Sequence, residues 1–372
     1  MLIYYLALTY YWLALTFVVQ HTKTLSIFKV LYATFPLLVI MILRGNVGTD
    51  TVAYLGIVSD IGVNANVASI EHGFVYLIKL LLLITKNNMF VLVLIAIFTT
   101  IVMLTASAQS YRSKFVLLVC VVPIFYLDMT MNGLRYGLSF AFAMYAVQKF
   151  YSKHEKMSVV LAVISVLIHS SSILIFLIFA AIADNKEELR KWLLITGILF
   201  IFMLGSLYLS NILEFFNSNN IYSKDINLTN KFYAYKYFKS PSWLSGLSTL
   251  IMSALLLLTL KLSNKAHTLF NNRGFYIVLV IVFITFVISK FSYAGLRLQS
   301  LVLFCILLIM QFKPSILDVL DKQFKRRLLL VGFLGTLTFI KNAIQTEGQQ
   351  LSPFAPWAIN PDITHFWSSI AA

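Results

Sequence analysis

Charged residues are scarce in this chain of 372 residues. They make up 12% of it, against 60% hydrophobic residues, and the mean hydropathy is +0.86. A soluble domain with this balance would expose large apolar patches, so the composition excludes a soluble enzyme or binding module. Apolar runs of near-spanning length recur along the whole sequence. The composition therefore predicts an all-α, polytopic integral membrane protein that forms one membrane domain over residues 1–372.

Cysteine and acidic residues are also few. The two cysteines, Cys120 and Cys305, each lie inside an apolar run, and neither disulfide nor zinc-site spacing is present. We expect both to be small core residues, and we expect neither a metal nor a cofactor. The 29 Lys and Arg outnumber the 14 Asp and Glu, but most of them occupy short connections between apolar runs. Basic residues in such connections set membrane topology, so we do not expect nucleic acid as a partner.

The apolar runs predict about 10–12 transmembrane helices, some of them short or re-entrant. Hydropathy places the candidate spans at 2–20, 28–43, 88–108, 115–131, 133–150, 192–212, 243–262, 275–290, 293–312 and 327–344. The run 72–84 is too short to span and is interfacial or re-entrant. The run 157–183 is too long for one straight span and carries HSSS in its middle. We predict that it forms a hairpin of two short helices with His169 near the tip, the alternative being one long tilted helix.

The basic connections orient these helices. If they are all cytoplasmic, the N-terminus lies outside, as do the loops 44–72 and 214–241 and a periplasmic C-terminal tail, 345–372. The first twenty residues lack a basic leading region and a small-residue cleavage site, which predicts a retained helix and not a signal peptide.

A group of polar residues in apolar surroundings then falls on the outer side. Ionisable groups at membrane depth are costly, so each member is a candidate functional residue. Two or three arginines that converge on one cavity suit a phosphate or diphosphate, because guanidinium binds such oxygens bidentately and keeps its charge. The members are Arg44, Asp50, Glu71, His72, Asp128, Asn132, Arg135, His169 and Arg297.

The segment YLDMTMNGLRYGLSFAFAMY (126–145) holds the densest part of this group. Where the chain is helical, Asp128, Asn132 and Arg135 share one face, since they stand four and three residues apart. Gly133 and Gly137 form a G-x-x-x-G pattern, which lets a neighbouring helix approach closely while Arg135 points into a cavity. The alternative is an ion pair between Arg135 and Asp128 that only supports the fold.

Each of the other candidates also has a structural alternative. A terminal Arg44 or Arg297 could snorkel to the interface, and Asp50 is a suitable N-cap for the following helix. His169 could be hydrogen-bonded to the serines that follow it, or it could act as a general base. From the residues alone, we conclude that the protein handles an anionic, lipid-linked ligand at its outer face.

Two other functions would also use such a group. A flippase for lipid-linked oligosaccharide would want cations in an amphiphilic cavity, but it would usually contain inverted repeats, and none is evident. A membrane O-acyltransferase with His169 as base would need a donor that enters from the cytoplasm, whereas the polar group is predicted to lie outside.

Several motifs, in order, resemble one family. RGNVGTDTVAY (44–54) is similar to the pattern R-x-x-x-G-x-D-x-x-x-Y, and EHG (71–73), MNGLRYGLSFAF (131–142) and LIHSSSIL (167–174) are similar to later segments of the same family. Arg297 and the PF at 353–354 fit its C-terminal pattern. Together they resemble the EpsG-like, Wzy-type polysaccharide polymerases over nearly the whole chain. Tyr136 stands where that family frequently has Gln.

The resemblance implies a GT-C-like glycosyltransferase in the bacterial inner membrane that uses no nucleotide sugar. It would join undecaprenyl-pyrophosphate-linked repeat units at an active site facing the periplasm, with membrane lipid and a chain-length regulator as further partners. It implies catalytic roles for Arg135, Asp50, His169 and Arg44, with either Asp50 or His169 as the base. It implies substrate binding by Arg297, Asn132, Asp128, Glu71 and Tyr54.

Overall fold

The computed structural model of the chain describes residues 2–21, 25–44, 50–63, 70–217, 241, 244–262, 272–314 and 322–345. Within these ranges every regular element is helical and no strand occurs, which confirms the predicted all-α class. The predicted tail, nearly all of the loop 214–241, and Gly45 and Gly48 lie outside the described residues. The α-helices are α1 Leu2–His21, α2 Ile27–Ile42, α3 Thr51–Gly62, α4 His72–Leu82, α5 Asn88–Ser107, α6 Tyr111–Val116, α7 Leu134–Tyr151, α8 Glu155–Ile168, α9 Ile173–Ala181, α10 Lys186–Asn217, α11 Leu247–Leu262, α12 Asn272–Ile288, α13 Tyr293–Phe312 and α14 Lys322–Gln345.

The outer surface of the helix bundle is apolar. Phe28, Leu83 and Phe291 are each more than three-quarters exposed, and many other large apolar side chains on the described helices face outward. By length and composition, α5 and α13 can each cross a membrane, and several other described helices are apolar but shorter, with 10–17 residues. An exposed apolar surface of this extent suits lipid as the surrounding medium. The fold is that of a polytopic membrane protein with short helices, as predicted.

The predicted span 115–131 departs from an ordinary α-helix. After α6 the chain continues as π-helix over Leu117–Tyr126 and Asp128–Asn132, which we call the π-helical segment. Pro123 lies within it and has no N–H to donate, so an unbroken α-helical ladder cannot run through this position. The segment ends where the amide of Gly133 donates to the carbonyl of Asp128 at 2.8 Å. Such wide turns are frequent at functional sites.

The two ends of the bundle carry different polar groups. At one end, which we call the site end, Arg297 near the start of α13 lies 3.7 Å from Asp50. At the other, which we call the basic end, the buried ammonium of Lys313 just beyond α13 pairs with Asp184 at 2.9 Å. The buried Arg112 donates there to the carbonyl of Lys313 at 3.1 Å. Sixteen residues of helix separate Arg297 from Lys313, a rise of roughly 24 Å.

The run 157–183 is a hairpin, as predicted. At the start of α8, Glu155 pairs at 2.9 Å with Lys191, near the beginning of α10. After α9, Asp184 pairs with Lys313, so the start of α8 and the end of α9 both lie at the basic end. Between α8 and α9 the chain turns through His169 and a short 3-10 helix, Ser170–Ser172, at the site end. The hairpin thus brings His169 up to the other polar residues.

Candidate active site

The carboxylate of Glu71 is the centre of the polar group. Glu71 lies in the connection before α4, and its Oε2 forms an ion pair with Nη1 of Arg135, 2.9 Å away. Its Oε1 faces Nδ1 of His169 and Oγ of Ser170, each at 3.2 Å. The side chains of Glu71, Arg135 and His169 are 16%, 23% and 21% exposed, so all three can still be reached by a ligand. One acid therefore holds a guanidinium and an imidazole side by side.

Close packing fixes the tip of the hairpin beside Glu71. The hydroxyl of Ser172 donates to the carbonyl of His169 at 3.0 Å. Ser139 of α7 and Ser165 of α8 each donate to the carbonyl of the other at 2.8 Å, which joins the two helices directly below the tip. On the other side, a Cβ at Gly73 would lie 2.6 Å from the carbonyl oxygen of Leu167, so only glycine lets α4 approach α8 this closely.

The protonation states follow from the contacts. Burial alone would raise the pKa of Glu71, but the hydrogen bond from His169 and the positive charge of Arg135 outweigh it and hold that pKa well below its usual range. Because an ionised carboxylate can only accept, Nδ1 of His169 must carry the proton. In the neutral ring, Nε2 is then an unprotonated acceptor. A carboxylate that fixes the tautomer of a histidine in this way is the arrangement of a general base.

Arg135 is oriented by more than its ion pair. It stands in the first turn of α7, and its backbone N–H donates to the hydroxyl of the buried Tyr54 at 3.3 Å. The guanidinium pairs with Glu71, so the predicted alternative of an ion pair with Asp128 is not found. The helix is interrupted at Gly133, which lies between the π-helical segment and α7. This break is the reason that Asp128 and Arg135 do not share the continuous helical face expected from their spacing.

Asp128 belongs to a second, smaller set of contacts. It accepts from the amide of Asn132 at 3.2 Å and from the hydroxyl of Tyr136, the position where the resembling family often has Gln. The predicted use of Gly133 and Gly137 for a neighbouring helix is not what the structure has. A Cβ at Gly137 would overlap the carbonyl of Met129, and one at Gly133 would overlap the ring of Tyr136. Both glycines instead make room for the chain's own turn into α7.

Asp50 and Arg297 form the most open part of the site. Asp50 is at the N-cap position of α3, but its side chain makes no capping hydrogen bond and lies near Arg297 instead. The Arg297 side chain is 62% exposed. Its charge also interacts with Tyr54, Asp128 and His169, so this pair borders the same space as the Glu71 group.

Arg44 lies beneath the other residues. Only 1% of it is exposed. Its guanidinium donates to the carbonyls of Thr130 and Met131, each at 2.8 Å, and to the hydroxyl of Thr51 at 2.6 Å. It therefore contacts the end of the π-helical segment and the start of α3, and it does not snorkel to the surface.

The structure brings the predicted site residues together and adds partners that the sequence prediction did not name. All nine predicted site residues lie at the site end. The partners Thr51, Tyr136 and Ser170 were not named as site residues, although Ser170 belongs to the HSSS motif that we expected to bind His169. The serines hold the backbone of His169 and the carboxylate of Glu71, not the imidazole ring. Among the residues that the structure describes, no group of three or more His, Cys, Asp or Glu is placed to hold a metal ion.

The arrangement can accept a proton at His169, and it offers the guanidinium groups of Arg135 and Arg297 to an anionic ligand nearby. No curated protein and no solved structure matches the chain. The model of the EpsG family matches residues 27–355, which is most of the chain and includes every site residue described above. The protein is therefore a member of the EpsG family, whose members resemble Wzy-type polysaccharide polymerases.

Proposed function

We propose that this protein is a polysaccharide polymerase of the O-antigen or capsule type. It joins undecaprenyl-pyrophosphate-linked oligosaccharide repeat units at the periplasmic face of the bacterial inner membrane, and the lipid pyrophosphate is released. The observation that carries the proposal is the contact of Glu71 with both His169 and Arg135 at one end of an apolar bundle. Membership of the EpsG family supports the same class of activity.

The transfer needs one base and one cationic site. The hydroxyl oxygen of the acceptor sugar attacks the anomeric carbon of the donor glycan, and the bond from that carbon to the phosphate oxygen breaks. The acceptor proton passes to Nε2 of His169, and Glu71 stabilises the imidazolium that forms. Of the two predicted bases, His169 is favoured over Asp50 because Glu71 orients its ring, whereas Asp50 faces a cation.

The leaving pyrophosphate gains negative charge as the bond breaks. Arg297 suits this charge best, because it is mostly exposed and its pair with Asp50 is long. Arg135 offers further N–H groups, since among the described residues its ion pair with Glu71 involves only Nη1. A guanidinium held in a partly desolvated position, as Glu71 holds that of Arg135, stabilises such charge better than water does. Asn132, Asp128 and Tyr54 would then orient the sugars or Arg135.

The orientation in the membrane is part of the proposal. The lysines and arginines near Lys313 and Lys191 lie at the basic end, away from the Glu71 group. Placing that end in the cytoplasm satisfies the positive-inside rule and turns the site toward the periplasm. The lipid-linked repeat units that serve as substrates would be joined on that side.

A genetic test separates polymerisation from transport. The gene is deleted in its native host, and wild type or Arg135→Ala is returned on a plasmid. We expect the surface glycan to collapse from a ladder to a single capped repeat on a gel. Wild type should restore the ladder and Arg135→Ala should not, because Glu71 would be left without its guanidinium.

Two outcomes would contradict the proposal. Loss of every repeat from the surface, with lipid-linked units trapped inside, would assign the protein to transport. A normal ladder with Arg135→Ala would remove Arg135 from the site, provided that immunoblots show equal amounts of both proteins in the membrane.

A further inference from the structure

We infer that Arg44 is a positioning residue and not a ligand for the diphosphate. It sets the distance between the Asp50–Arg297 pair and the group around Glu71. The inference rests on the proposed function for its catalytic consequence, while its structural part stands on the contacts of Arg44 alone. It separates Arg44 from Arg135 and Arg297, with which the sequence had grouped it.

Among the residues that the structure describes, the surroundings of Arg44 leave no approach for a substrate. The residue is 1% exposed, and two of its guanidinium nitrogens already donate to three oxygens at 2.6 to 2.8 Å. All three acceptors are neutral, so a phosphate could reach the guanidinium only after these bonds had broken. By contrast, Arg135 and Arg297 keep 23% and 62% of their side chains exposed.

The acceptors show what Arg44 does. The carbonyls of Thr130 and Met131 lie at the C-terminal end of the π-helical segment, where backbone carbonyls have no partners further along the helix. A positive charge at a helix C-terminus also interacts favourably with the helix dipole. Arg44 therefore caps this end and holds it in a fixed position.

Each contact of Arg44 adjoins a residue of the site. Thr51 follows Asp50 directly, and Met131 precedes Asn132, four residues before Arg135. Arg44 thus links the segment that bears Asp50 to the segment that leads into α7 and its Arg135. If this link loosens, the spacing changes between the Asp50–Arg297 pair and the group around Glu71.

The kinetic test uses purified protein in lipid nanodiscs with a lipid-linked repeat unit as substrate. For Arg44→Lys we expect kcat per folded molecule to fall about tenfold or more, while KM stays within about threefold, because an interaction needed only to shape the reacting geometry is lost. Thr51→Val, which removes one acceptor and no charge, should act in the same direction with a smaller effect. Arg297→Gln should instead raise KM as well as lower kcat, because Arg297 contacts the diphosphate both in the bound substrate and as the bond breaks.

A second readout does not depend on activity. Hydrogen–deuterium exchange should become faster in peptides that cover 50–56 and 128–137 when Arg44 is replaced by Lys or Gln. Arg112→Gln is the matched control, because Arg112 is also buried and also donates to a backbone carbonyl, but at the basic end. It should lower thermal stability without changing exchange in those two segments or kcat per folded molecule.

The outcomes distinguish the inference from the proposed function. If Arg44→Lys raises KM more than about tenfold with unchanged exchange, Arg44 contacts the substrate and the inference is wrong. Unchanged exchange together with unchanged kcat would also overturn it. If wild type makes no polymer, the proposed function fails, yet the exchange experiment still decides whether Arg44 holds the two segments.

Discussion

The three arginines of the site differ in the surroundings of their guanidinium groups. Arg44 is buried against neutral oxygens, Arg135 is paired with Glu71 at 2.9 Å, and Arg297 is mostly exposed with a partner at 3.7 Å. An exposed pair of that length contributes little to stability, so Arg297 can leave Asp50 for a ligand at low cost. In the sequence the three arginines look equivalent, whereas their burial and the distances to their partners assign them different roles.

At the residue scale, the pair of Glu71 and His169 can be tested by removing each member. We expect His169→Gln to lower kcat about 10²–10⁴-fold, the usual contribution of a general base. Glu71→Gln keeps the size of the side chain but removes the charge that stabilises the imidazolium, so kcat should also fall while KM changes little. Steady-state kinetics on purified protein would measure both.

His154→Gln serves as the control, since His154 is exposed at the basic end and should not affect the rate. Full activity of His169→Gln would exclude His169 as the base and return that role to Asp50.

At the element scale, the site depends on short helices: α4 and the hairpin of α8 and α9 meet at the polar group. The tip of the α8–α9 hairpin meets the start of α4, and these two ends carry His169 and Glu71 respectively. Contact between α4 and α8 is close enough that the backbone of Leu167 occupies the space a side chain at Gly73 would need. The distance between acid and imidazole therefore depends on one glycine.

Gly73→Ala should move α4 away from α8, because the added Cβ would lie 2.6 Å from a backbone oxygen that cannot rotate aside. We expect a large loss of polymer length with the protein still present in the membrane, measured by glycan gel and immunoblot. Gly56→Ala in α3 is the control, since a Cβ there meets nothing within 4 Å. Equal activity of the two variants would show that the close contact does not matter for the site.

At the scale of the whole molecule, polar side chains gather at opposite ends of an apolar bundle. The site end holds acids that are paired with arginines, and the basic end holds Lys313 and Arg112 in buried contacts. Both sets fix helix ends while leaving the sides of the bundle apolar, which is what a lipid environment requires. The excess of positive charge at one end favours one orientation in the membrane.

That orientation can be measured with single cysteines. Both native cysteines, Cys120 and Cys305, are buried, so they should not react with a maleimide reagent. In spheroplasts, an impermeant maleimide should label Asp60→Cys, on α3, and should label Lys156→Cys, at the basic end, only after permeabilisation. The reverse pattern would invert the topology and place the site on the cytoplasmic side.

The sequence predicted the class and the hairpin well, and the polar residues that it singled out lie at one end of the bundle, because hydropathy and isolated polar groups are local signals. It could not predict the partners. The contact of Glu71 with His169 joins residues 98 positions apart, and spacing carries no information about it. The π-helical segment was also missed, since its apolar residues fit an ordinary span. The prediction therefore placed Asp128 and Arg135 on one helical face, although the helix is interrupted at Gly133 between them.

The shortness of α8 has a consequence for how substrate reaches the site. Its 14 residues rise roughly 21 Å, while the 20 residues of α5 rise roughly 30 Å, so α8 carries His169 to a depth roughly 9 Å short of the length that α5 spans. On the proposed function, a carrier embedded in the bilayer would bring its diphosphate to this depth by lateral diffusion. The rate would then follow the mole fraction of carrier in the lipid phase, and diluting the membrane with inert lipid would slow the reaction even at constant bulk concentration.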